Sequence, residues 1–248
     1  QRQMCIRDSI KTKDKETSLI ENFYYPKYGP GQMWEEMALK IKKMGGKILT
    51  EHEVLKIHKK NNKIENVSCL VKGKVKVFEG DYFISSMPIK DLISGMNNVE
   101  KNIKKIALNL PYRDFITVGL ILNKINLKNN TQIKTYNNLI PDCWIYVQGK
   151  EEKLGRIQVF NNWSPYLIDD INKVSLGLEY FCQENDSFWN KSEEELRDFA
   201  VKELLNMQII SDKKDVLDYH VEKVKKAYPA YFNSYKTVSY THLTLPTK

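Results

Sequence analysis

Between Gln32 and Met44 apolar residues recur at helical spacing, at Met33, Met37, Ile41 and Met44, so this stretch is expected to be an amphipathic helix. Gly29-Pro30-Gly31 turns the chain into it and Gly45-Gly46 ends it. Short β segments are expected at Lys47–Thr50 and Val54–His58, followed by a hairpin of Ile64–Val71 and Val75–Phe78 closed near Lys72-Gly73-Lys74. The apolar run Tyr82-Phe83-Ile84 is expected to be a buried strand that delivers the loop Ser85-Ser86-Met87-Pro88.

Beyond Pro88 the pattern predicts helices at Ile89–Ser94 and Val99–Leu108. Strands follow at Phe115–Leu122, Trp144–Val147, Arg156–Phe160, Val174–Phe181 and Leu217–Lys225. One further helix, Ser192–Met207, is strongly marked. Ser192 can cap it, Glu193 to Glu195 suit its positive end, and Leu196, Phe199, Ala200 and Leu204 share a face. The order is mixed α/β (α+β) with mostly antiparallel character after Pro88, and it points to two interleaved parts.

Composition changes this picture little. With 42% hydrophobic and 11% aromatic residues the chain can build a sizeable core. Of the formal charge of +8, Arg2, Arg7 and Lys248 against Asp8 put +2 in the two ends, leaving +6 spread over scattered lysines. A solvated basic surface accounts for that, and no nucleic-acid partner is expected. Cys69, Cys143 and Cys182 show neither CxxC nor zinc-ligand spacing, which suits a reducing cytoplasm and no metal. There is no apolar run long enough for an integral membrane segment. His52, His58 and His220 form no metal or catalytic pair, and His58 is expected to face solvent on its strand. No GxSxG elbow or Walker loop occurs.

The two ends stand apart. Residues 1–9 can be encoded by CAG CGT CAG ATG TGT ATA AGA GAC AG and one more pyrimidine, and the complementary strand, read in another frame, encodes Val238 to Leu245. The shared string resembles a transposon adaptor used for sequencing libraries, so 1–9 and 238–248 are set apart from the fold. By this reading the natural segment is internal to a longer protein.

Pro26-Lys27-Tyr28-Gly29-Pro30-Gly31 brings free N–H groups to a helix start, a place suited to phosphate or flavin oxygens, with Gly29 and Gly31 as candidate contacts. Taken together, Phe-x-Tyr-Pro-x-x-Gly-x-Gly, a helix, Gly-Gly-x-Ile, Val-x-x-Ile and Phe-Ile-Ser-Ser-Met-Pro resemble the middle of the FAD-binding domain of flavin amine oxidases, protoporphyrinogen oxidases and UDP-galactopyranose mutases. The resemblance implies FAD as cofactor, with Val54 meeting the adenine through its backbone and the loop Ser85, Ser86, Met87 and Pro88 lying against the cofactor. Small side chains there let the backbone approach a large ligand.

Leu110 to Phe115, Asn161 to Tyr166 and Gly177 to Phe181 resemble the substrate-binding domain of a bacterial branch of these oxidoreductases, and Tyr228-Pro229-Ala230-Tyr231 resembles the segment that returns the chain to the cofactor domain. Candidate substrate residues are Tyr112, Arg113, Asn161, Trp163, Tyr166, Tyr180, Tyr228 and Tyr231. The implied fold is a partial Rossmann-like FAD-binding domain (10–108) interleaved with a mixed, mostly antiparallel substrate domain (109–227), with 228–237 leading back. The implied activity is hydride transfer from a small-molecule substrate to flavin. Two alternatives stand beside it: a flavin-dependent sugar isomerase of the mutase kind, and a non-catalytic binding protein on the same fold. No residue stands out as an essential acid or base.

Overall fold

The computed structural model describes residues 24–61 and 63–230. Phe23, Tyr231 and both adaptor-like ends lie outside the described residues. Helix α1 spans Pro30–Lys43; Pro30 occupies the first turn, where a missing N–H costs nothing, and Gly29 before it takes φ +83°. Strands β1 (Glu53–Lys60), β2 (Lys63–Val71) and β3 (Lys74–Glu79) form an antiparallel meander, closed between β2 and β3 by Lys72 and Gly73 at positive φ. Helix α2 (Ile89–Gly95) packs on β1, where Gly95 leaves room for the Leu55 carbonyl; a Cβ there would sit 3.1 Å from that oxygen. After it comes α3 (Lys101–Leu108).

The second sheet has the order β5-β6-β7-β4-β8 and is antiparallel throughout: β4 (Tyr112–Leu122), β5 (Trp144–Tyr146), β6 (Arg156–Val159), β7 (Val174–Cys182) and β8 (Val216–Pro229). A helical turn, α4 (Phe160–Trp163), follows β6, and α5 (Glu193–Asn206) precedes β8. The predicted Ser192 cap is present as a reciprocal capping box with Glu195.

Strand alternation gives this sheet two different faces. On one, Ile116, Val118 and Leu120 of β4 and Leu176, Leu178 and Tyr180 of β7 are fully buried with Leu196, Ala200 and Leu204 of α5. Each such aliphatic side chain contributes roughly 1.5–3 kcal/mol of burial. Among the described residues the other face is covered in part, by α4, whose Phe160 lies over Gly177 and whose Trp163 meets Trp144, and it carries the site described below.

Three expectations are corrected. Lys47–Thr50 is not a strand, and Ile48 and Leu49 are exposed. Tyr82-Phe83-Ile84 is neither a strand nor buried, with Tyr82 93% and Ile84 100% exposed. A strand needs a hydrogen-bonding neighbour and a covering layer, and among the described residues nothing pairs with either segment. His58 is half-buried, its Nε2 2.8 Å from Ser68 Oγ on the neighbouring strand.

Candidate functional site

Register aligns the open face of the larger sheet into rows. Tyr146, Arg156, Glu179, Thr117 and Glu222 face one another across all five strands, and Trp144, Gln158, Gly177, Gly119 and His220 form the next row. Phe181 stands opposite Phe115, and Tyr228 reaches both rings, at 6.2 Å and 5.9 Å between centroids. Tyr228 gets there because β8 bulges: two extra residues separate its pairing with Arg113 from that of Val224 with Phe115. Asp114 holds the bulge, its two carboxylate oxygens accepting the N–H groups of Glu184 (2.8 Å) and Lys226 (2.6 Å), the latter at φ +52°.

At the centre sits a buried ion pair. Arg156 Nε donates to Glu179 Oε2 at 2.7 Å, the Gln158 amide donates to the other carboxylate oxygen, and the Glu179 side chain is only 3% exposed. The guanidinium lies 5.2 Å from the Trp144 ring centroid and 5.9 Å from that of Tyr146. Burial works against the Arg156 charge, yet the hydrogen bond and attraction from Glu179, with the Tyr146 and Tyr228 hydroxyls, hold its pKa above the ordinary value.

One side of this wall is closed by aromatics from elsewhere in the chain. Trp163 meets Trp144 edge-on at 4.8 Å and Tyr25 stacks on Trp163 at 5.1 Å. Burial, then the neighbouring Cys143, raises the Tyr25 phenol pKa. The same seam joins the α1 entry turn to the sheet. Ser164 Oγ donates to the Lys27 carbonyl at 2.7 Å, Lys27 Nζ lies 4.0 Å over the Tyr166 ring, and Gly29 packs against Leu167.

The sequence-predicted residues fall into separate groups. Trp163, Tyr228 and Arg113 border the wall, Arg113 on the same side of β4 as Phe115, and Tyr166 lies at the seam. Asn161 is 1% exposed and its amide is fully used, accepting the Ser175 N–H and donating to the Lys173 carbonyl. Tyr180 and Tyr112 belong to the other side of the sheet. The Tyr180 hydroxyl lies against Glu203, and burial, then that carboxylate, raises its pKa. Tyr231 lies outside the described residues.

In the first part, Val54 is on β1, the edge strand of its sheet, whose outer side from Ile57 to Lys59 is taken by Met96 and Asn97. Ser85 and Ser86 are exposed, with Ser85 Oγ accepting the Met87 N–H, and Met87 and Pro88 lead into α2. No atom lies within 4 Å of the position a Gly31 Cβ would take. Of these residues Gly31, Ser85 and Ser86 are exposed, and Val54, Met87 and Pro88 are half-buried.

Arg156, Gln158, Trp144 and Tyr146 were not singled out in the sequence, while Glu179 lay in a segment expected to line a cavity and Tyr25 in the Phe-x-Tyr-Pro motif without a role of its own. The available signal was the alternation Arg156-Ile157-Gln158-Val159 and a glutamate inside the apolar strand Val174–Cys182.

No protein-family profile matches the chain, and no curated protein does. Solved structures do. Reduced UDP-galactopyranose mutase is similar with a TM-score of 0.65 at 18% identity, over 84% of this chain and 42% of that one. A protein described as a protoporphyrinogen oxidase, from Exiguobacterium sp. 255-15, gives 0.58 at 13% identity over 82% and 40%. A cofactor-binding redesign of putrescine oxidase gives 0.57 at 14% identity over 88% and 45%. The fold is therefore a mixed α+β fold of the flavin oxidoreductase kind, and the chain spans less than half the length of these structures.

Proposed function

We propose that the chain is the central portion of an FAD-dependent oxidoreductase acting on a small molecule, with 10–108 as part of the FAD-binding domain, 109–227 as the substrate domain and 228–237 leading back. The observation that carries this reading is the two-faced antiparallel sheet. One face is sealed by α5, while the other leaves Trp144, Tyr146, Phe181 and Tyr228 between 39% and 55% exposed around a buried ion pair. Monomeric proteins rarely leave such a patch without a ligand or partner.

Bound FAD would supply a two-electron acceptor for the hydride of a substrate C–H bond, and an external acceptor would take those electrons from it. Backbone at Val54 on its edge strand, the turn of Gly29 and Gly31, of which Gly31 has open space at its Cβ position, and the loop of Ser85, Ser86, Met87 and Pro88 would hold the cofactor. Trp144, Tyr146, Trp163, Arg113 and Tyr228 would orient the substrate, with Glu179 fixing Arg156 among them. Tyr166 keeps the two parts in register through Lys27, while Asn161, Tyr112 and Tyr180 brace the strands behind the wall. Among the described residues no helix is long and apolar enough to cross a membrane, and Cys69, Cys143 and Cys182 are free thiols, as a cytoplasmic enzyme would keep them.

The test is to recover the complete gene that contains this chain and record the visible absorption spectrum of the purified complete protein, before and after incubation with FAD. Oxidised-flavin bands that stay with the protein through gel filtration, and free FAD on denaturation, are the expected result. A folded complete protein that stays colourless after reconstitution overturns the reading.

A further inference from the structure

We infer that the open sheet face is a recognition wall for an uncharged ligand bearing a flat ring, a conclusion that rests on the reading of this face as the substrate side. The reason lies in how its charges are arranged. Five charged side chains belong to the face: Arg113, Arg156, Glu179, Asp218 and Glu222. The two at its centre cancel.

Arg156, the central cation, is already spent. Its guanidinium is bound to Glu179 and its side chain is 17% exposed. Trp144 and Tyr146 stand beside it. A phosphate or carboxylate would have to displace Glu179, which is 97% buried by the same measure and held by Gln158 as well. Breaking that pair leaves one buried charge unpaired. An ammonium gains equally little, because the central carboxylate is saturated. The other three charges stand at the ends of the face, in water. Arg113 and Asp218 are exposed, and Glu222 is 64% exposed in its side chain, 3.7 Å from His220.

What remains open between them is ring surface: Trp144, Tyr146, Phe181 and Tyr228. Paired Gly119 and Gly177 keep the middle of the sheet free of side chains of their own, and Phe160 lies over Gly177, where a Cβ would come within 2.9 Å of its ring. A planar neutral molecule can stack on this surface and meet the Tyr146 and Tyr228 hydroxyls at its polar edge.

The experiment is calorimetric titration of the full chain, without added flavin, with 2-naphthol, UDP-galactose and putrescine. 2-Naphthol is expected to bind about tenfold tighter than either charged probe, and Trp144→Ala with Tyr146→Ala to weaken it by about tenfold, the scale of a lost aromatic pair. Tighter binding of UDP-galactose or putrescine, 2-naphthol binding indifferent to Trp144→Ala with Tyr146→Ala, or no binding by any probe overturns the inference. In the last case a dimer in sedimentation would assign the face to a second copy of the chain. FAD retention is scored separately by absorption, so a chain that keeps FAD and rejects 2-naphthol loses this inference alone.

Discussion

Arg156 and Glu179 stand opposite one another in the β6 and β7 register and join through a 2.7 Å bond from Nε to Oε2, on the face of the sheet that α5 does not cover. Neither residue would be tolerated there alone, because an ion taken out of water needs both a partner and satisfied hydrogen bonds. Glu179→Gln is expected to lower unfolding free energy by about 3–5 kcal/mol through the stranded guanidinium, whereas Arg156→Met with Glu179→Leu is expected to recover most of it. Urea denaturation of both variants tests this; equal losses would show that the pair is not a unit.

Asp114 ties together two loops far apart in sequence by accepting N–H bonds from Glu184 and Lys226. Asp114→Ala is expected to cost about 1–3 kcal/mol for the two part-buried N–H groups that lose their acceptor. Amide exchange should speed up at Lys226 to Tyr228 before the rest of β8. Unchanged protection there would mean the bulge is held by something else.

Gly29 sits at φ +83°, and a Cβ would stand 3.1 Å from Leu167 Cδ2. Gly29→Ala is expected to cost about 1–2 kcal/mol in backbone strain alone. It should also loosen the seam, seen as a change in the fluorescence of Trp163, the partner of Tyr25. Gly31→Ala, with open space at its Cβ, is the matched control and should leave stability nearly unchanged while reporting on FAD affinity.

Alkaline pH offers a different test. Burial and the Glu203 carboxylate raise the Tyr180 pKa in the folded chain, so folding favours the protonated phenol. The associated stability is complete below the unfolded value of about 10 and falls as pH climbs from there toward the raised folded value. Thermal melts at increasing pH should show a shallower decline for Tyr180→Phe than for the parent; identical slopes would remove Tyr180 as the cause.

The Ser192 capping box is the simplest local prediction. Ser192→Ala is expected to cost about 1 kcal/mol, read as a lower melting temperature. Ser192→Asp should keep most of that stability, since a carboxylate can take over as cap.

The chain by itself determined the elements whose signal is local. α5 was legible from its cap, acidic first turn and apolar face, α1 from its spacing after a glycine turn, and the β2–β3 hairpin from alternation around Lys72-Gly73. The strands β4 and β7 were legible because a strand buried in a sheet must be apolar wherever it lies. Lys47–Thr50 and Tyr82–Ile84 read as strands for the same reason and are not, because strand formation needs a partner that composition cannot supply. Of the candidate site the sequence offered rim residues, Arg113, Trp163 and Tyr228, and the segment that carries Glu179, but not its partner. Its centre was decided by tertiary structure: Arg156 and Glu179 are 23 positions apart, and Tyr25 and Trp163 come from distant stretches. A polar residue in an apolar strand reads the same whether it faces solvent, a core or a partner. Only the register of neighbouring strands, fixed by turns, bulges and the burial of the opposite face against α5, sets which charge meets which, and so places the Arg156–Glu179 pair among exposed rings.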